Sequence, residues 1–478
     1  MAKNDSSFEL KAFQDSYKAR YKWWFLTASV LCEIALMYNL QSVYTIQVPI
    51  QTTFHLNEIS YSRILTFESI PVIFVPVVAG TLTDKYGTTI LFTVGLLINY
   101  LAQAVSLYST EIFSYWLLIA GRMLMISGFA TTSVSRNKMF KNWFNSREIA
   151  KAVSACSMID YIGIILCDIG YPNIYEAYDS LFASFLVGMI FALATAAFGV
   201  MQVCLNARLL RFENTENPEN VPTEEKSYKN FPLSYWILIF CCVLGFLSYF
   251  GTKIYSSKFY QMNFHFTVGE AGFMLAAAMA ASGIITFMSG VFIDRYGKVN
   301  VTAMVGGLLI ILGVFGNLVF PHCFRCILAA SPLVVLSLGG AIIQLIATVG
   351  TLRLVKTESL GLGLSLYNVL MSIGLFFYPL IGGYISEKTI NDHGYFWVFF
   401  MNLMLGVLAF ALAVWLSIAD KNGGKQLSAV LDSARSSMAI VPDGGTYIIN
   451  GPNGIEEYDS AASMQAALLV NEEDISSR

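Results

Sequence analysis

Long apolar runs, each about twenty residues and separated by short polar breaks, fill most of this chain. A run of that length is what a helix needs to cross a hydrocarbon core of about 30 Å at about 1.5 Å per residue. In lipid every backbone polar group must be bonded internally, which leaves helices or a closed barrel. The runs show no period-two alternation, so they are helices. Composition agrees: 56% of residues are hydrophobic and 13% charged, where a soluble domain carries roughly 25% charged, and the mean hydropathy is +0.60. The expected fold class is an all-α polytopic membrane protein with about twelve transmembrane helices.

Six apolar windows fall between Trp23 and Asn206 and six between Tyr235 and Ile418. The stretch between them, RLLRFENTENPENVPTEEKSYKNFP, is charged and rich in Asn and Pro, as a solvated linker is. The expected organisation is a cytosolic tail over 1–22, bundles over 23–206 and 235–420, a cytosolic linker over 207–234, and a tail over 421–478. That last tail is rich in Gly, Ser and acidic residues and is expected to be disordered apart from a turn at NGPNG. The N-terminal stretch lacks a small-residue cleavage site, so the first helix is expected to target the membrane. Loop Lys and Arg set the orientation: Lys258, Arg325 and Lys388 lie on one side, whereas Lys85, Lys141, Arg147, Arg295, Lys298, Lys356 and the linker cations lie on the other. The second side, with both termini, is therefore cytosolic.

The two halves echo each other. GTLTDKYG begins at Gly80 and GVFIDRYG at Gly290, an offset of 290 − 80 = 210, and EIAKAVS at Glu148 matches ESLGLGLS at Glu358, again 358 − 148 = 210. Two anchors at one offset indicate duplication of a six-helix unit. Gly80 and Gly290 are expected to allow close helix approach, and Gly87 and Gly297 to release the chain into tight loops. Asp84 and Asp294 are expected to accept bonds from a neighbouring helix N-terminus or basic side chain, latching the inner face.

At these residues the chain resembles the major facilitator superfamily, whose cytoplasmic-loop signature is a Gly, an Asp, a basic residue and a second Gly. Gly80, Asp84, Lys85 and Gly87 match it, as do Gly290, Asp294, Arg295 and Gly297, while Thr88 and Thr89 stand where further basic residues are usual. Arg122 in GRMLMISG resembles the family's fourth-helix arginine, with Ile126 where a Gly is common. YWLLIAGR, NWFNSREIAKA and LSLYNVLMSIGLFFYPLIGGYI are similar to the lysosomal dipeptide transporter branch. That branch's fourth-helix acidic residue and fifth-helix arginine align with Ala130 and Tyr161. The resemblance covers about Trp23 to Ala419. It implies two six-helix bundles, alternating access, and helices one, four, seven and ten around a central cavity. It also implies a lysosomal or endosomal membrane, with the plasma membrane as the alternative.

Ionisable groups at mid-bilayer cost several kcal/mol and are paired or face a wet cavity. Substrate or coupling candidates are Glu33, Asn39, Arg122, Arg136, Asp160, Tyr161, Lys253, Gln344 and Asn368, with Glu68, Lys138, Asp168 and Gln41 as further buried polar positions. Matching depths make Glu33 and Arg122 an expected pair. A guanidinium anchor with a carboxylate nearby suits a small zwitterion or organic anion better than a neutral sugar. The expected function is secondary active or facilitative transport of a dipeptide, amino acid or organic anion; a transceptor or scaffold signalling through the C-terminal tail, and a sugar transporter, are the alternatives.

His55, His265, His322 and His393 all map to non-cytosolic loops, where helical spacing assembles neither a metal cluster nor a nucleophile and base. No enzyme, metal or cofactor is expected. Six of the eight cysteines lie in apolar runs, while Cys323 and Cys326 form a CFRC stretch readable as a redox pair or local disulfide. A net charge of −3 offers nothing to nucleic acid. The expected partners are a small-molecule substrate, with a proton as candidate co-substrate, membrane lipid, and an accessory membrane subunit.

Overall fold

The computed structural model describes residues 2–144, 146–213, 231–321, 323–355, 360–422, 427, 442–443, 446–451 and 454–458. The first half holds α1 (Ala2–Thr45), a short α2 (Gln47–Thr53), α3 (Glu58–Tyr86), α4 (Thr88–Glu111), α5 (Tyr115–Trp143), α6 (Ser146–Tyr178) and α7 (Leu181–Glu213). The second holds α8 (Leu233–Phe264), α9 (Val268–Tyr296), α10 (Val299–Val319), α11 (Ser331–Leu354), α12 (Leu360–His393) and α13 (Phe396–Asn422). Among the described residues, eleven helices are long and apolar enough to cross a membrane. The remaining long helix, the 33-residue α6, occupies the fifth position of the first bundle and carries Asp160 and Asp168.

Helix continuity departs from the sequence expectation at the N-terminus. The 1–22 stretch is helical from Ala2 and runs without a break into the first membrane span. At its other end α1 stops at Thr45, and Ile46 (φ −109°) re-aims the chain into α2. Of the C-terminal tail the structure describes three short strands. Strands β1 (Pro442–Asp443), β2 (Thr446–Gly451) and β3 (Gly454–Tyr458) form an antiparallel meander, with Tyr447 opposite Tyr458 and Gly451 opposite Gly454. The Thr-Tyr-Ile-Ile run has the β-branched and aromatic content of a strand, Gly451 pairs with Gly454 within the expected NGPNG turn, and most of 423–478 lies outside the described residues.

Helices contact across the two bundles in duplicated fashion: α3 packs on α12, and α6 on α9. Gly87 (φ +91°) and Gly297 (φ +70°) both take backbone conformations that favour glycine, one in each copy of the repeat. The expectation for Gly80 and Gly290 does not hold. A Cβ at either would meet nothing within 4 Å, so neither sits at a close helix crossing. The Asp84 carboxylate accepts from Lys138 Nζ at 2.6 Å, and the same ammonium caps the Gly80 carbonyl at 2.9 Å. That bond ties α3 to α5 inside one bundle rather than latching two bundles together. In the second copy Arg353 does the corresponding work, donating to the carbonyls of Gly297 at 2.9 Å and Ile293 at 3.4 Å. The side chain of Asp294 lies outside the described residues. Lys85 and Arg295 rest over the rings of Tyr86 and Tyr296, at 5.2 and 5.7 Å from the centroids.

Candidate functional site

The two bundles are joined most densely near their non-cytosolic ends. α2 presents Gln47 and Gln51, one helical turn apart, to the buried Glu58 carboxylate. Lys258 pairs with that carboxylate from α8, and Tyr395 Oη donates to it at 3.0 Å. Two helix N-termini are capped across the interface. Glu387 of α12 accepts from the Glu58 amide at 2.8 Å, and Glu176 of α6 accepts from the Gly269 amide at 2.9 Å. The caps are duplicates of one another, since 387 − 176 = 211 and 269 − 58 = 211. Each places a carboxylate on the positive end of a helix and satisfies an amide that has no intrahelical partner. Further bonds run from Ser257 Oγ to the Thr45 carbonyl at 2.8 Å, and between Tyr161 and Thr286 hydroxyls at 3.3 Å near mid-depth.

Below this seal lie three buried charge clusters. In the first, Arg122 of α5 donates from Nη2 to Glu68 Oε1 at 2.7 Å and to the Leu40 carbonyl at 2.5 Å. Its Nη1 reaches the Asn39 carbonyl at 3.1 Å and Ser42 Oγ at 3.4 Å, and its Nε reaches Glu68 Oε2 at 3.5 Å. Five donors thus meet five acceptors, with both partners about 1–2% exposed. The expected Glu33–Arg122 pair is therefore not formed. Depth along a helix does not fix rotation about it: Arg122 turns to Glu68 of α3, and Glu33 pairs with Arg136 instead.

The second cluster joins α1, α5 and α6. Glu33 Oε2 holds Arg136 Nη1, and the guanidinium acts electrostatically on Asp160. Glu33 Oε1, Arg136 Nε and Asp160 Oδ1 are buried and have no hydrogen-bond partner.

In the third, Lys253 of α8 and Asp168 of α6, on different bundles, act on each other electrostatically, each about 15 Å from the non-cytosolic end of its helix. Lys253 is 4% exposed and Asp168 0%. Among the described residues no direct salt bridge joins them. Lys253 Nζ donates to the thioether of Met279 at 3.3 Å, a weak acceptor. Asp168 Oδ1 accepts from Thr45 Oγ1 at 2.5 Å, while Oδ2 is buried without a partner. Gln41, one turn before Thr45 on α1, has a buried, unpartnered Nε2.

The family model described as Major Facilitator Superfamily matches residues 29–352 and 244–441. The chain belongs to this superfamily. It is therefore a member of a transporter family, not an enzyme family, and an integral multi-pass membrane protein. It is 21% identical over 399 residues to the zebrafish (Danio rerio) lysosomal dipeptide transporter MFSD1, covering 80% of this chain and 84% of the relative. It is 25% identical over 335 residues to the agnestins efflux protein AgnL12 of Paecilomyces divaricatus, covering 66% and 69%. Among solved structures it matches a bacterial homologue of the human lysosomal transporter Spinster, in an inward-facing and occupied conformation, with TM-score 0.63 and 14% identity over 84% of this chain and 97% of that one. The nucleoside transporter NupG matches with TM-score 0.61 and 13% identity over 83% of this chain and 99% of that one.

Of the remaining candidates, Asn39 sits in a polar knot inside the first bundle of this superfamily fold, taking a bond from Tyr171 Oη at 2.8 Å and giving one to the Gly188 carbonyl at 3.2 Å. A small cavity beside it, between α1, α4, α5 and α7, does not reach Lys253 or Asp168. Gln344 is half-buried on α11 and Asn368 exposed on α12. His55 and His265 are exposed, both with positive φ, and His322 and the His393 side chain lie outside the described residues. Among the described residues no group of three or more His, Cys, Asp or Glu is placed to hold a metal. Cys323 and Cys326 are free thiols, and hydrogen bonding to Cys326 raises the Cys323 thiol pKa.

Sequence reasoning placed the latch in the aspartate loops and missed the one formed by Glu58, Lys258, Glu176 and Glu387. The Glu176 and Glu387 positions do repeat at an offset within one residue of the loop duplication, and that was the signal available.

Proposed function

We propose that the chain is a secondary transporter of a small zwitterionic solute, an amino acid or dipeptide, bound between Lys253 and Asp168. The observation that carries this reading is the pair of opposed, half-satisfied charges on different bundles. A substrate carboxylate replaces the poor thioether acceptor of Lys253, and a substrate amine takes the free Asp168 oxygen and the neighbouring Thr45 hydroxyl. Each charge-assisted bond is stronger than a neutral one, and a buried charge gains most from a close partner. Because α6 and α8 belong to different bundles, the bound solute bridges the elements that alternating access moves. Arg122 is not the anchor, because all its donors are engaged.

Similarity to a relative named as a lysosomal dipeptide transporter supports the same solute class and a lysosomal or endosomal membrane. The test is uptake into proteoliposomes of L-alanyl-L-alanine and of its N-acetylated and C-amidated forms. Uptake of the free dipeptide, lost with either cap, is expected. Equal transport of the capped forms, or preference for a neutral sugar, would overturn the reading. A tagged copy confined to the plasma membrane would overturn the location.

A further inference from the structure

Cys323 and Cys326 have no part in the solute site proposed above. They are half-buried free thiols in the short connection between α10 and α11, on the non-cytosolic side. Phe324 and Arg325 are the central residues of a hydrogen-bonded turn, so the two cysteines occupy its ends. Such a turn brings its end Cα atoms within about 7 Å, and a disulfide spans Cα separations of about 4.4–6.8 Å. The thiols also hydrogen-bond to one another, which raises Cys323. The turn is held firmly at its centre. Arg325 has a left-handed backbone (φ +48°), a conformation that favours glycine and persists where neighbours fix it. Its amide donates to the Phe264 carbonyl at 3.0 Å, its Nε donates to the His265 carbonyl at 3.3 Å, and its guanidinium lies 3.5 Å from Glu270. Phe264 and His265 end α8, and Glu270 completes the capping box that starts α9. The turn therefore ties the α8–α9 junction, which carries two of the bonds between bundles. Lys258, the partner of Glu58, lies 264 − 258 = 6 residues back along α8, and the Gly269 amide bonded by Glu176 is next to Glu270.

We infer that Cys323 and Cys326 form a thiol–disulfide modification site on the non-cytosolic face, and that its oxidised form clamps the α8–α9 junction on which the seal between bundles stands. The oxidant is a low-molecular-weight disulfide of the glutathione type. One cysteine thiolate attacks it, forming a mixed disulfide and expelling one glutathione thiolate; the second cysteine thiolate then attacks the protein sulfur, closes the ring and expels the other. The cysteines give up two electrons and two protons, and the two released glutathione thiols carry both. Non-cytosolic compartments are where such bonds form and persist. Closing the turn covalently restrains the opening that would free Arg325 from α8 and α9. The inference rests on the fold and its orientation and not on which solute the chain carries.

Two measurements on the full-length protein test it, and neither needs a substrate. Sealed membranes are exposed to oxidised glutathione on one side at a time, remaining thiols are blocked, and peptides are read by mass spectrometry. An internal Cys323–Cys326 link is expected, formed from the non-cytosolic side and reversed by dithiothreitol. In Cys326→Ser, Cys323 is expected instead to keep glutathione as a lasting mixed disulfide. Both thiols left free, glutathione retained on the unaltered protein, or reaction from the cytosolic side alone would overturn the site. The second measurement is hydrogen exchange at the Gly269 amide, compared between reduced and oxidised protein. Because the Arg325–Glu270 pair is partly exposed, its restraint is modest, and exchange about two- to fivefold slower after oxidation is expected. The double change Cys323→Ser with Cys326→Ser should abolish the response to oxidant. Equal exchange in the two redox states, or the same slowing in the double variant, would overturn the clamp.

Discussion

Arg122 and Lys253 are cations buried to nearly the same degree, 1% and 4% exposed, in helices of opposite bundles. Arg122 spends every donor on protein acceptors, among them the Asn39 and Leu40 carbonyls near the end of α1. Lys253 has a thioether and a carboxylate held at a distance. Equal burial therefore hides opposite states of satisfaction. A saturated charge can only hold the fold, whereas an unsaturated one retains binding energy for something that arrives later. Guanidinium geometry favours saturation, because its planar fork reaches several acceptors at once, and an ammonium on a flexible stem does not.

The sharpest way to break this contrast is Arg122→Gln. It leaves Glu68 buried without a counter-charge, and a loss of about 3–5 kcal/mol is expected, read as a lowered unfolding temperature and poor yield. The double change Arg122→Gln with Glu68→Gln should recover most of it. A stable but inactive single variant would show that Arg122 serves transport directly. Lys253→Ala is expected to do the reverse, lowering L-alanyl-L-alanine uptake about 100-fold, or about 2.7 kcal/mol, with a smaller loss of thermal stability than Arg122→Gln because no direct ion pair is broken. Unfolding of this variant would erase the distinction between the two cations.

The duplicated caps extend the comparison from charges to bundles. Glu176→Gln and Glu387→Gln each remove a charge from a helix N-terminus, an effect of about 0.3–1 kcal/mol. If the caps are equivalent halves of one seal, the single changes should match in size and the double should raise maleimide labelling of the buried Cys167 from the non-cytosolic side by about thirtyfold at most. Unequal singles would mean that one interface, α3 with α12 or α6 with α9, carries the seal. The smallest effect belongs to Lys138→Ala. Its partner Asp84 is 77% exposed, so solvent screens the pair and a change within about 1 kcal/mol in stability is expected.

Much of this was legible beforehand. Apolar run length located the membrane helices, the 210-residue echo located the duplication, and the positive φ at Gly87 and Gly297 follows from a repeated loop glycine. The site was legible only as a set of residues. Glu33, Arg122, Arg136, Asp160 and Lys253 were all recognisable as charges out of place, but depth along a helix says nothing of rotation about it. That is why Glu33 was expected opposite Arg122 and lies against Arg136. Asp168 looked like one buried acid among several until Thr45 and Lys253 were seen to converge on it.

By itself, then, the sequence determined the class of solvent, the number of long helices, the internal repeat and the orientation in the membrane. Those properties depend on local composition and spacing, which are written along the chain. Tertiary structure alone decided which buried charges are saturated, that the aspartate loop ties helices within a bundle, and that Glu176 and Glu387 cap helices of the other bundle. Those depend on groups more than 50 residues apart meeting within about 3 Å. Helix rotation and crossing set such encounters, and no one-dimensional period encodes them.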